Sequence, residues 1–196
     1  MNRRDFCANS ALGLSAVLWP RVSHAGLHPG KAALNGQERV FDPQRHYPNT
    51  AGIVDPKTKH RFFFHYHRPD EFGHFHTFSI DSYGAPVHIA MITINDAGRA
   101  TSLSTTNQWV TGTRYIPADQ MKPFIEGFSM GAQAHTDPAL VSFITDLIHG
   151  NRANILQLYV DRDRWIERYR KDQEGDPFKD EQHEVLSSLE INGEHP

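Results

Sequence analysis

The chain has 196 residues, 20 Lys and Arg against 23 Asp and Glu, a formal net charge of −3 and a single cysteine. A chain of this length forms one domain with a sizeable core. The charge balance excludes a nucleic-acid binder held by a Lys/Arg excess, and one cysteine excludes a disulfide framework or a thiolate cluster. Histidine is the unusual residue, with 13 copies.

Residues 1–25 have the features of a cleaved signal peptide. The pair Arg3-Arg4 precedes an apolar run from Ala8 to Trp19, and Ser23 and Ala25 place small residues where a signal peptidase cleaves. The run is too short to span the roughly 30 Å of a bilayer core. We therefore expect a periplasmic or secreted protein with no transmembrane segment in the mature chain.

The paired arginines indicate the export route. Followed by Asp5-Phe6, they resemble a twin-arginine signal, which implies the twin-arginine translocase as partner and export in the folded state. Asn2 and Cys7 depart from the usual pattern of such signals. A Sec signal that carries two arginines by chance is the alternative.

Residues 26–60 are rich in Gly and Pro and predict an irregular N-terminal arm with one short helix at Lys31 to Leu34. From residue 61 onward, aromatic and β-branched runs separated by Gly-containing turns indicate a meander of about four antiparallel strands. The predicted strands are Arg61 to Arg68, His74 to Ile80, Pro86 to Ile94 and Ala100 to Thr106.

Beyond Trp109 the spacing of apolar residues becomes helical. The predicted helices are Pro117 to Ser129, Pro138 to His149 with Asp137 as N-cap, a long amphipathic helix through Ile155 and Tyr169, and a last one at Gln182 to Leu189. The sequence thus predicts a single α+β domain over residues 61–196, with a sheet at 61–112 and three or four helices at 113–190 packed on one face.

Four histidines flank the first predicted turn of the meander. If residues 68–73 form the loop, His67 pairs with His74 and His65 with His76. Cross-strand partners share a face of the sheet, so these four imidazoles would lie together. Neutral imidazole suits zinc, iron, copper or nickel, and a shared cation would relieve their mutual repulsion. Glu71 and His88 are supporting or substitute ligands.

Other interpretations of these histidines stay open. The spacing His65-x-His67-x-x-x-Glu71 resembles the first metal motif of the cupins, with His88 as the third histidine, but the second cupin motif is absent. The histidines would otherwise be structural or pH-responsive, in a non-enzymatic binding or interaction module. If a metal is bound with an open position, hydrolysis and oxidative chemistry are both available, and nothing in the sequence chooses between them or establishes an enzyme.

The segment Thr105 to Gly112 is a polar strand end that carries an aromatic residue. Asn107 and Trp109, with Arg68 from the histidine loop, are candidates for a small-molecule pocket whose ligand is unknown. The alternative is a turn in which the Asn and Thr side chains bond their own backbone.

These motifs carry a family resemblance. The run from Phe63 through His76 to Phe78, the segment Thr105 to Gly112 and Arg162-Asp163 resemble a bacterial family catalogued as a domain of unknown function. The resemblance spans about residues 45–170. It implies one fold-sized unit and supplies no catalytic residues.

Overall fold

The computed structural model describes residues 31–34, 37–40, 52–65, 72–95, 97–134 and 137–191. For the first two segments and for His65, only the backbone is described.

Strands dominate the first part of the described chain and helices the second. The strands are β1 (Lys31–Leu34), β2 (Gln37–Val40), β3 (Ile53–Val54), β4 (Arg61–His65), β5 (Gly73–Ile80), β6 (Pro86–Ile94), β7 (Ala100–Thr106) and β8 (Val185–Glu190). The α-helices are α1 (Gln108–Thr111), α2 (Lys122–Glu126), α3 (Pro138–Gly150) and α4 (Arg152–Asp172). Strands β1 and β2 pair with each other, and the other six form an antiparallel sheet in the order β3-β4-β5-β6-β7-β8. The α+β class is confirmed.

Turn chemistry explains why consecutive strands are neighbours. Between β5 and β6, the Asp81 carboxylate accepts hydrogen bonds from the backbone of Tyr83 and Ala85 at 2.9 and 2.8 Å. Between β6 and β7, the Asn95 side chain accepts from the backbone of Arg99 at 2.9 Å. Gly84 and Gly98 adopt φ values of 80° and 72°, which residues with a side chain rarely adopt. Such short connections permit only antiparallel pairing.

The hydrophobic core lies between one face of this sheet and the helices. Phe62, Phe75 and Leu103 from the strands belong to the same buried cluster as Ile144 of α3 and Ile155 of α4. The predicted helix over Pro138 to His149 is confirmed with Asp137 as its N-cap, because the carboxylate accepts from the backbone of Leu140. Helix α4 confirms the predicted long helix. None of the helices in the described ranges has the length and apolar character needed to cross a membrane.

Two segments predicted as helix are strands. Lys31–Leu34 pairs with Gln37–Val40 as a hairpin, so the predicted short helix is wrong. The predicted helix at Gln182 to Leu189 is also wrong, because Val185–Glu190 adds a strand to the edge of β7. Hydroxyl groups stabilise this pairing. The Ser187 and Thr105 hydroxyls form a hydrogen bond of 2.6 Å, and those of Ser188 and Ser104 form one of 2.9 Å. With β3 and β8, the sheet has six strands instead of about four.

The predicted helix over Pro117 to Ser129 is shorter and interrupted. A 3₁₀ turn at Ala118–Gln120 precedes α2, and Gly127 ends that helix. Two prolines, Pro117 and Pro123, cannot donate backbone hydrogen bonds inside one continuous helix, which explains the break.

Candidate functional site

The two faces of the sheet differ in character. On the helix-covered face, Phe75 packs against Phe62 and Phe64 with ring centroids 5.7 and 5.0 Å apart. On the opposite face, Phe63 packs against His76 and Phe78 at 5.1 and 5.5 Å. This alternation follows from the period of two along a strand. It places His74 and His76 together on the face away from the helices.

A β-bulge brings a third histidine to this face. Thr77 pairs with Ala90, and the next residue, Phe78, pairs with His88, so Ile89 is the extra residue of β6. Without the bulge, Phe78 would face Ile89, and His88 would point to the helix-covered side. The bulge thus aligns His88 with the face that carries His76.

The histidine cluster, defined as His74, His76 and His88, is buried, and the ring of His76 contacts the other two. The three residues are 0%, 1% and 6% exposed. Ring centroids are 4.9 Å apart between His74 and His76, and 5.4 Å between His76 and His88. Nδ1 of His76 lies 3.2 Å from Nε2 of His88. One of these two nitrogens carries the proton and donates the hydrogen bond, and the other accepts it.

Aromatic rings surround the histidine cluster. Phe63 contacts His76, and the ring of Phe78 lies 5.3 Å from that of His88 at a steep angle. Arg61 in turn lies over Phe78, with 5.5 Å from its guanidinium carbon to the ring centroid. An apolar shell of this kind excludes water and favours the neutral form of imidazole.

Burial lowers the pKa of His88 from its ordinary value near 6.5 to about 3. The positive charge of Arg162 and the neighbouring His74 contribute to this lowering after burial. His88 is therefore neutral at physiological pH and can act as a hydrogen-bond partner or a metal ligand through a lone pair. Its backbone carbonyl accepts a hydrogen bond from the Tyr159 hydroxyl, which ties this strand to α4.

The strand register differs from the predicted one by two residues. His65 pairs with His74, and Phe63 with His76, whereas we expected His65 opposite His76 and His67 opposite His74. A shift of two keeps every side chain on its face, so the pattern of alternation could not distinguish the two registers. The observed register sets Phe64 opposite Phe75, and these two rings pack together in the core.

Several predicted site residues lie outside the residues that the structure describes. His67, Glu71 and Arg68 belong to the undescribed segment 66–71, and only the backbone of His65 is described. Of the predicted ligands and their substitutes, His74, His76 and His88 are brought together. Within the described ranges, no three His, Cys, Asp or Glu side chains form a group that could hold a metal ion.

Asn107 and Trp109 bind the backbone of the segment before β8. The Asn107 amide donates to the carbonyls of Pro177 and His183 at 2.8 and 3.0 Å, and its oxygen accepts from the backbone of Gln108 at 2.7 Å. The Trp109 indole also donates to the His183 carbonyl, at 3.3 Å. Both polar atoms of the Asn107 side chain are thus bonded to backbone groups, of which only the Gln108 N–H belongs to the same segment.

A second polar site, which the sequence pattern did not assign, lies where β6 and β7 diverge. A small cavity here is lined by His88, Thr106, Arg162 and Tyr159, among others. Arg162 is 7% exposed although it is charged. The only sequence signal for this site was the presence of Thr106 and Arg162 within the motifs that carried the family resemblance.

Fold and site together define a class: an α+β domain with a six-stranded meander, helices on one face and a buried histidine cluster on the other. Residues 19–191 match the model of a family described as domain of unknown function DUF6969, and the chain belongs to that family. A search of curated proteins and a search of solved structures each found no match. The predicted family resemblance is thus confirmed over a longer stretch than expected.

Proposed function

We propose that this protein is an exported metal-binding protein that holds one first-row transition ion at the histidine cluster. The observation that carries this proposal is the 3.2 Å separation of His76 Nδ1 and His88 Nε2. Two nitrogens that bind one tetrahedral ion at 2.0–2.1 Å are about 3.3 Å apart. The same spacing would serve a shared ion once the donor ring carries its proton on its other nitrogen and both rings turn so that their lone pairs meet at the ion.

The chemistry of the cluster supports the same conclusion. Imidazole is a good ligand for zinc, copper, iron and nickel, and the low pKa of His88 keeps its lone pair available at neutral pH. Placing three imidazoles in an apolar environment is costly unless their polar atoms are bound. A further ligand would come from His74 after a rotation of its ring, or from His65, His67 or Glu71.

Titration of the metal-free protein with Zn²⁺, followed by calorimetry, tests the proposal. We expect one equivalent to bind, and His76→Gln to weaken binding by at least about tenfold, the loss that even an outer-shell partner causes. His149→Gln is the matched control, because His149 binds the Phe128 carbonyl away from the cluster and should bind Zn²⁺ as the parent protein does. Equal affinities for all three proteins would contradict the proposal, provided that circular dichroism shows each to be folded.

A second candidate function is favoured by the lowered pKa of His88. In this case the histidines form an acid-sensitive structural cluster in a non-enzymatic binding module, and no metal is involved. Such a module would bind Zn²⁺ no better than His76→Gln does, yet it would lose stability between pH 7 and 5. The two candidates are therefore separated by metal affinity and not by pH dependence alone.

A further inference from the structure

The cavity between β6, β7 and α4 contains an arginine, Arg162, whose guanidinium donors are only partly used by the described residues. The Arg162 Nε and Nη2 atoms donate to Asp163 Oδ1 at 2.8 and 2.6 Å, and Nη2 also donates to the Ile116 carbonyl at 2.6 Å. No described residue accepts a hydrogen bond from Nη1. A buried guanidinium rarely leaves one of its edges unused unless water or a ligand fills the position.

Two tyrosine rings fix the plane of this guanidinium. The guanidinium carbon lies 4.4 Å from the Tyr159 ring centroid and 4.7 Å from that of Tyr115. Both rings are close enough for cation–π attraction. A partner for Nη1 must therefore approach in the guanidinium plane, the direction from which a planar carboxylate binds an arginine.

Thr106 supplies a second unused polar group to the same cavity. Its hydroxyl oxygen is buried and has no hydrogen-bond partner among the described residues. The hydroxyl of the preceding residue, Thr105, is by contrast bonded to Ser187 at 2.6 Å. A buried hydroxyl without a partner costs stability, so it indicates a group that the structure does not include.

The described lining residues include two arginines, Arg114 and Arg162, and no aspartate or glutamate. Both arginines of the lining already pair with a carboxylate, Arg114 with Asp81 and Arg162 with Asp163. The ligand class therefore follows from the donors that no described residue uses, Arg162 Nη1 and the Thr106 hydroxyl, which suit an anionic acceptor.

The cavity has an accessible volume of about 20 Å³, which is enough for about one water molecule. Only the head of a ligand therefore fits inside. The lining also includes apolar side chains, among them those of Val87, Leu186 and Phe178.

We propose that this cavity binds the carboxylate of a small organic acid, with one oxygen on Arg162 Nη1 and the other on the Thr106 hydroxyl. The apolar part of the acid extends towards the opening. This site is independent of the proposed metal, although His88 borders both.

The test compares thermal unfolding of the parent protein, Thr106→Val and Thr105→Val, each with sodium propionate, phosphate or chloride at equal ionic strength. Propionate should raise the parent's unfolding midpoint above the value in chloride. Thr106→Val should weaken that response by roughly tenfold in apparent affinity, since a hydrogen bond to a charged group is lost. Its ligand-free midpoint should stay the same or rise, because an unpartnered hydroxyl is removed and valine keeps the β-branched shape.

Thr105→Val is the matched control. It should lower the ligand-free midpoint, because it removes the hydrogen bond between Thr105 and Ser187, and it should keep the full response to propionate. A parent protein that does not respond to propionate would overturn the proposal, as would a Thr106→Val variant that responds fully. A response to phosphate that equals or exceeds the response to propionate would overturn the assignment to a carboxylate.

Discussion

Burial of His88 makes the stability of the metal-free protein depend on pH. In the unfolded chain this imidazole takes up a proton near pH 6.5, whereas in the folded protein its pKa is about 3. Between these values the unfolded state binds more protons, so stability falls as the pH falls. The pKa of His60 is also lowered by burial and adds to the same trend.

We expect the free energy of unfolding of the metal-free protein to fall by about 1.4 kcal/mol per pH unit from His88 alone between pH 6 and 5, where the carboxylates stay ionised. Urea denaturation across this range measures the slope. His88→Gln should reduce the slope by that amount. A His88→Gln protein with the parent slope would show that His88 is protonated normally in the fold.

Asn107 illustrates a polar residue whose role is structural. It is fully buried, and its amide satisfies two carbonyls and one backbone N–H. We expect Asn107→Ala to lower the free energy of unfolding by about 3 kcal/mol, because these three groups lose their partner. Gln108→Ala, at the neighbouring half-buried position, should cost less than about 0.5 kcal/mol in the same denaturation experiment. Similar costs for both variants would contradict this role.

At the scale of elements, the sequence identified strands best where turns bound them on both sides. β6 and β7 have the predicted bounds, because Gly84 and Gly98 mark the turns that precede them. The register of β4 on β5 was wrong by two residues, since both registers keep the same alternation. The bulge at Ile89 was invisible to a pattern of period two, although His88 itself was identified as a candidate ligand.

β8 was mistaken for a helix because its local sequence does not determine its structure. Val185–Glu190 contains Leu186 and Leu189, which are three residues apart and would share a helix face. The exposed edge of β7 decides the outcome, since it offers backbone hydrogen bonds that no local pattern reveals. Such a contact between residues far apart in the chain is inaccessible to reasoning over short windows.

The strand assignment of β8 predicts unequal effects of two similar substitutions. Leu186, at the register shift between β7 and β8, is 7% exposed, whereas Leu189, opposite Leu103 on this edge strand, is 37% exposed. Leu186→Ala should therefore lower the free energy of unfolding by about 2–4 kcal/mol, and Leu189→Ala by less than about 1 kcal/mol. Chemical denaturation of both variants measures the difference. Equal and large losses would favour a helix in this segment.

At the scale of the whole molecule, export is the expectation with the most direct genetic test. We expect replacement of both Arg3 and Arg4 by lysine to retain the protein in the cytoplasm, because the twin-arginine route requires the arginine pair while a Sec signal needs only positive charge. Fractionation of cells that express the parent and the variant measures the location. A variant exported as efficiently as the parent would indicate the Sec route, and a parent protein that stays in the cytoplasm would contradict export.

The central claim is that the histidine cluster holds a transition metal in the working protein. Elemental analysis by mass spectrometry, on protein purified without chelators from its native compartment, tests this most directly. We predict close to one equivalent of a single first-row transition metal in the parent protein, and a metal content near zero when His76 and His88 are both replaced by glutamine in a chain that still folds. Metal-free parent protein, or a metal content that the double replacement leaves unchanged, would contradict the claim.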